Sequence, residues 1–162
     1  MLVSRMKSGD PEIFATVQGE GTSMGVPSVF VRLAECNLKC SWCDTKYTWD
    51  WANFDRTQET VELAADDVVA RVLAAAGDHV KNAIFTGGEP LLQQDELAAP
   101  MRRLKTEHGF RLEVETNGTI TPGEALAGLV DQWNVSPKLA SSGNGDRARH
   151  RPATLQWFAS RA

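Results

Sequence analysis

Long apolar runs are missing from this 162-residue sequence, so no segment reads as a membrane span. Basic charge is not in excess either. The 17 Lys and Arg stand against 21 Asp and Glu, a formal charge of −4 that disfavours a broad electrostatic hold on nucleic-acid phosphates. Neither a membrane nor a nucleic acid is therefore an expected partner, although a local basic pocket remains open. The first residues, Met1 to Pro11, mix Arg5, Lys7 and Asp10 and lack the apolar stretch of a secretory signal, which leads us to expect a cytoplasmic protein. Internal repeats and low-complexity segments are absent. Cysteine is scarce: three residues, an odd number, all between Cys36 and Cys43, which is a poor disulfide framework. What is present is 42% hydrophobic and 23% charged residues, a composition that fits one soluble domain over 1–162. A chain of this length buries roughly 68–70% of its unfolded surface, enough for one core without disulfides.

Short β-rich runs over Glu12–Val17 and Ser28–Leu33 flank a loop marked by glycines and a proline. Val68, Val69, Val72, Leu73 and Ala76 recur at helical spacing, with Asp66 and Asp67 in the opening turn and Gly77 at the stop. Asn82–Thr86 reads as a buried strand entering the Gly87-Gly88-Glu89-Pro90 turn, after which Leu97, Met101 and Leu104 predict a second helix. Arg111–Thr116 predicts another strand, Pro122–Ala127 a short helix and Leu129–Val135 a further strand; Leu155–Phe158 reads as a weak helical end. Alternation of this kind predicts a parallel sheet with right-handed crossovers, either doubly wound or part of a (β/α) barrel. In both, sites gather at the C-terminal ends of strands, where the cysteines, the glycine turn, Asn117 and Ser136-Pro137-Lys138 all fall.

Cys36, Cys40 and Cys43 lie close enough in the chain to share one metal centre. Cubane clusters usually take four cysteines, so three leave one iron open to an outside ligand. A zinc loop is the plainer alternative, but it needs a fourth ligand, and His79, His108 and His150 all lack the local spacing.

The Cys-x3-Cys-x2-Cys loop followed by Gly87-Gly88-Glu89-Pro90 resembles the radical S-adenosylmethionine enzymes. Glycines allow close backbone approach to a ligand, and the Glu89 carboxylate can pair with an ammonium. Phe14–Gly21, Phe30–Leu33, Cys43-Asp44-Thr45, Thr86–Pro90, Glu115–Gly118 and Ser136-Pro137-Lys138 together resemble the 7-carboxy-7-deazaguanine synthase family, over about Ile13 to Ser142.

The resemblance implies an α/β fold: a partial (β/α) barrel of the radical S-adenosylmethionine type, shortened at its C-terminus. It implies a [4Fe-4S] cluster on Cys36, Cys40 and Cys43, and S-adenosylmethionine held by Trp42, Asp44, Gly87, Gly88, Glu89, Ser136, Pro137 and Lys138. It places a pterin substrate against Val17, Gln18, Gly19, Arg32 and Thr86, and Mg2+ on Thr45. An inward-facing arginine in an apolar strand needs an anionic partner, and the substrate carboxylate would supply it. The family also implies a homodimer and a flavodoxin-type electron donor. On residues alone, Thr45 and Gln18-Gly19 would pass for ordinary turns, Lys138 for a surface lysine, and Trp49, Trp51 and Phe54 for packing over the loop. Two other readings remain: a small radical activase acting on a partner protein, and a non-catalytic metal-binding module.

Overall fold

Along 28–33, Ser28, Phe30 and Arg32 alternate with Val29, Val31 and Leu33, and that period of two folds as a strand with unlike faces. The structure, a computed structural model, describes residues 1–161. Its elements in chain order are β1 (Leu2–Ser4), β2 (Ile13–Val17), β3 (Pro27–Leu33), α1 (Arg56–Glu59), β4 (Thr60–Glu62), α2 (Ala65–Ala76), β5 (Asn82–Gly87), α3 (Gln94–Thr106), β6 (Arg111–Thr116), α4 (Glu124–Ala127), β7 (Gln132–Val135), α5 (Asp146–Arg149) and α6 (Pro152–Ala159).

The seven strands form one sheet in the order β4-β1-β3-β5-β6-β7, with β2 also paired to β3. β3, β5, β6 and β7 run parallel, while β1, β2 and β4 pair antiparallel. Among the described residues the sheet is open, a partial barrel whose end strands are β4 and β7. Helices α2 and α3 bury Val68, Val69, Val72, Leu97, Met101 and Leu104 in one core with Val29, Val31, Leu33, Phe85, Leu112 and Val114 of the sheet. This is the packing that the apolar spacing predicts. At the end of α2, Gly77 takes a positive φ of 55° as the stop.

Three expectations shift. The last strand begins at Gln132 rather than Leu129, because Leu129 closes a turn by donating its amide to Leu126 O. The short helix starts at Glu124 rather than Pro122. The end helix is longer than Leu155–Phe158, running from Pro152 to Ala159, and packs Trp157 and Phe158 edge-on against Trp133 of β7. β1 and β4 were not expected at all. They pair with each other through Leu2 and Glu62, and the Gln93 side chain ties β1 down by accepting from Leu2 N at 2.6 Å and donating to Leu2 O at 3.0 Å.

Candidate functional site

The sheet face away from α2 and α3 carries polar side chains around the apolar Phe30 and Ile84, where the helix-covered face is apolar throughout. Arg32 on β3 sits in register with Thr86 on β5, and Glu115 on β6 with Asn134 on β7. All four line a cavity of about 330 Å³ at the C-terminal ends of these strands. The loop after β3 adds Cys36, Cys40, Trp42, Cys43, Asp44 and Thr45; the turn after β5 adds Gly87 and Gly88; the segment after β7 adds Ser136 and Lys138. Sequence-expected residues from positions 32 to 138 thus meet in one space.

Five do not line it: Val17, Gln18, Gly19, Glu89 and Pro137. Val17 and Gly19 are exposed, whereas Gln18 is buried and its side-chain amide is spent within the protein. Gln18 Nε2 donates to Glu115 Oε1 at 3.0 Å and Gln18 Oε1 accepts from Glu20 N at 3.2 Å. Within the protein, the half-buried Glu115 carboxylate thus takes the Gln18 side-chain donor. Thr86 Oγ1 donates to the other oxygen of Glu115 at 2.6 Å.

Glu89 is likewise turned away. Fully buried, its carboxylate accepts from Leu91 N at 3.1 Å, Thr116 Oγ1 at 2.8 Å and Asn117 N at 2.8 Å. Burial still holds its pKa above the usual carboxylate range, those hydrogen bonds pulling the other way. Its carboxylate ties the turn after β5 to the end of β6. The backbone of Gly87 and Gly88 is wedged in place: a Cβ on Gly87 would lie 2.0 Å from Leu33 O, and one on Gly88 2.0 Å from Glu35 O. Glu35 itself holds a positive φ of 70°, rare for a residue with a side chain, immediately before Cys36. Its backbone donates to Thr48 O and accepts from Glu89 N, so both neighbouring loops hold it there.

Arg32 has an anionic partner inside the protein, which corrects the expectation that only a ligand would supply one. Its Nε donates to Glu12 Oε1 at 2.7 Å, and Tyr47 donates to the same carboxylate at 2.9 Å. Burial alone would lower the Arg32 pKa, yet Glu12 outweighs it and the guanidinium is held charged. Burial pushes the Tyr47 hydroxyl well above its usual pKa. Lys138 donates to Ser136 Oγ at 2.9 Å and sits 5.6 Å above the ring of Trp42, which is itself exposed and donates to Ser141 O.

The three thiols fit a multi-iron cluster. Cys36, Cys40 and Cys43 all line the one cavity, and a cubane cluster takes each thiolate on a separate iron. Burial pushes the Cys36 thiol up to about 11, so its deprotonation needs a bound cation nearby. Cys43 Sγ accepts from Trp49 Nε1 at 3.4 Å, and Cys40 Sγ from Asn144 Nδ2 at 3.3 Å. Trp49, expected as loop packing, thus lines the cavity and touches the Cys43 sulfur.

The family profile described as Radical SAM superfamily matches residues 31–145, well over half of the chain. The chain belongs to this superfamily. A [4Fe-4S] cluster and S-adenosylmethionine are the superfamily's cofactors, and the chain is similar to several of its members. The 7-carboxy-7-deazaguanine synthase of Pyrobaculum aerophilum is 43% identical over 136 residues, covering 82% of this chain and 55% of that protein. The enzyme of that name from Halobacterium salinarum is 41% identical, covering 81% and 46%, and that from Escherichia coli 34% identical, covering 82% and 61%. The chain thus spans about half the length of the curated relatives it matches. The crystal structure of QueE from Escherichia coli superposes with a TM-score of 0.66 at 28% identity, over 97% of this chain and 68% of that one.

Sequence reasoning missed Glu20, Glu115, Asn134 and Asn144. One signal was readable: Glu113 and Glu115 share a strand face at spacing two, opposite the apolar Leu112 and Val114. Asn134 follows the same rule on β7. Glu20 and Asn144 sit in loops, and no periodicity points to them.

Proposed function

We propose that this radical SAM chain performs the 7-carboxy-7-deazaguanine synthase reaction: ring contraction of 6-carboxy-5,6,7,8-tetrahydropterin to 7-carboxy-7-deazaguanine with loss of ammonia. One observation carries the reading. A single cavity sets three cysteine thiols against a floor that mixes Arg32 with Glu20, Glu115 and Thr86, charges of both signs that suit a flat heterocycle bearing a carboxylate.

Cys36, Cys40 and Cys43 would hold the [4Fe-4S] cluster. When bound, the cluster and S-adenosylmethionine supply one-electron cleavage of the sulfonium and the adenosyl radical that takes a substrate hydrogen. The backbone of Gly87 and Gly88, with Trp42, Asp44, Ser136, Pro137 and Lys138, orients S-adenosylmethionine, and Glu89 holds the glycine turn rigid. Because Glu12 occupies Arg32 Nε, the two terminal guanidinium nitrogens remain for a carboxylate, a planar bidentate match. Thr86 and the backbone of Val17, Gln18 and Gly19 position the pterin, and Glu115 presents an acceptor to its ring nitrogens. Thr45 supplies one oxygen to Mg2+, which tolerates a single protein ligand when substrate and water complete its shell. We further read 1–162 as one domain of a cytoplasmic homodimer reduced by a flavodoxin-type donor. No helix among the described residues is long and apolar enough to cross a membrane.

The test is an anaerobic assay of reconstituted protein with reductant, S-adenosylmethionine, Mg2+ and 6-carboxytetrahydropterin, following product by mass. Appearance of 7-carboxy-7-deazaguanine is the expected result. Formation of 5′-deoxyadenosine alone would overturn the substrate assignment and move a protein-directed activase to the front.

A further inference from the structure

The segment Ser141–Asn144 lies about a hundred residues from the cysteine loop in sequence and clasps its outer side. Ser142 O accepts from Ser41 N at 2.9 Å and Ser141 O from Trp42 Nε1 at 3.1 Å. Asn144 Oδ1 accepts from Lys39 N at 2.8 Å, while its Nδ2 donates to Cys40 Sγ at 3.3 Å. The amide orientation follows from the network: a flipped side chain would set its NH2 against the Lys39 N–H, donor against donor. On the inner side, Trp49 Nε1 donates to Cys43 Sγ at 3.4 Å. Cys40 is 7% exposed, so water competes weakly for its sulfur, whereas Cys43 is half-buried and also has the Thr45 hydroxyl 3.5 Å from its sulfur.

We infer that Asn144 and Trp49 tune the reduction potential of the cluster, each by an N–H···S hydrogen bond to a different ligand sulfur. A donor aimed at a thiolate withdraws charge from it and favours the reduced cluster, which carries one more negative charge. Two such donors on Cys40 and Cys43 raise the potential and ease the entry of the electron. The step is a one-electron reduction by an external donor, with no bond made or broken and no proton taken up. The inference rests on the superfamily's cluster and is independent of which substrate the cavity takes.

Its test is potentiometric reduction of the anaerobically reconstituted chain by dithionite with mediators, without S-adenosylmethionine, read by electron paramagnetic resonance beside iron content. Asn144→Asp keeps the acceptor for Lys39 N and removes the donor, but adds a negative charge that lowers the potential in the same direction. The neutral Asn144→Ala is therefore read beside it and must also lower the midpoint for the hydrogen bond to be the cause. Trp49→Phe keeps the ring and removes its N–H. At the unaltered protein's midpoint, the ratio of reduced to oxidised cluster is expected to fall about tenfold in Asn144→Asp, about 59 mV for a one-electron couple. A fall of roughly threefold is expected in Trp49→Phe, set by one weak donor. Full iron content with unchanged midpoints in Asn144→Ala and Trp49→Phe would overturn the inference. If Asn144→Asp fails to hold iron, Asn144→Ala alone is read by the same criterion as Trp49→Phe. Loss of iron there too would overturn tuning by Asn144 in favour of a purely structural clasp.

Discussion

On the helix-covered face of the parallel sheet, Val29, Val31, Leu33, Ala83, Phe85, Leu112 and Val114 are all buried, while the alternate positions on the other face carry Ser28, Arg32, Asn82, Thr86, Glu113, Glu115 and Asn134 beside two buried apolar residues, Phe30 and Ile84. The apolar face needs only matched volume. The polar face needs every group partnered, and the cost of failing rises with depth. Glu113 is fully buried and accepts from Ser23, Asn82, Arg111 and Asn134. Two residues on, Glu115 accepts from Gln18 and Thr86 and lines the cavity. The face thus grades from a closed network into an open one, and the site is the end at which partners run out. Only Ser4 Oγ and Arg149 Nε are buried without a partner among the described residues, and neither lies in this gradient.

The largest effect should come from the apolar face. Phe85→Ala is expected to lower unfolding free energy by about 3–5 kcal/mol, since Phe85 is the largest fully buried side chain and α2 and α3 limit collapse onto the space. Urea denaturation checks it; a loss below about 1 kcal/mol would mean the helix layer repacks freely. On the closed half of the polar face, Glu113→Leu should cost about 2–3 kcal/mol by leaving Asn82, Ser23 and Asn134 without their acceptor. The Arg111 side chain is 41% exposed and can return to water, which keeps the loss below that of a wholly buried pair. On the open half, Glu115→Gln should change stability by less than about 1 kcal/mol, its position being half open to water. It should nevertheless weaken 6-carboxypterin binding about tenfold, read by fluorescence. A stability loss matching that of Glu113→Leu would erase the contrast between the two carboxylates.

The same contrast explains what the sequence made legible. Helices α2 and α3 follow from five and three apolar residues at helical spacing, and β3, β5 and β6 from short β-rich runs. The cysteine and glycine motifs place themselves because they are local. What failed was non-local: β1 and β4 have three residues each, too few to show a period, and depend on each other and on Gln93. Arg32 drew attention as an unpaired charge because Glu12, twenty residues earlier, had no signal linking it to β3. The internal partner of Gln18 was hidden for a related reason. Its partner Glu115 is 97 residues away, and only the fold shows that the amide is already committed.

The finest test of the gradient is its pH dependence at Glu20, a cavity residue beside Glu115. Burial first, and the Glu115 charge second, raise the Glu20 pKa above its ordinary 4.5, against a smaller opposing pull from Lys138. A carboxyl whose folded pKa is raised favours the protonated form in the fold. Its stabilising share is complete below the unfolded value and is lost as pH rises through the folded one. Glu20→Gln mimics the neutral form at every pH, so the variant should be more stable than the parent at pH 7. The gain should be under about 1 kcal/mol because Glu20 is mostly solvated. Between pH 7 and pH 4 the gain should shrink as the parent protonates, a trend that parallel urea titrations resolve. A gain constant across that range would remove the charge as its cause and leave a difference in packing or hydrogen bonding between the carboxyl and the amide. Disappearance of the pH trend in a Glu20→Gln, Glu115→Gln pair, with the step retained in Glu115→Gln alone at reduced size, would assign the remainder to burial at the cavity mouth.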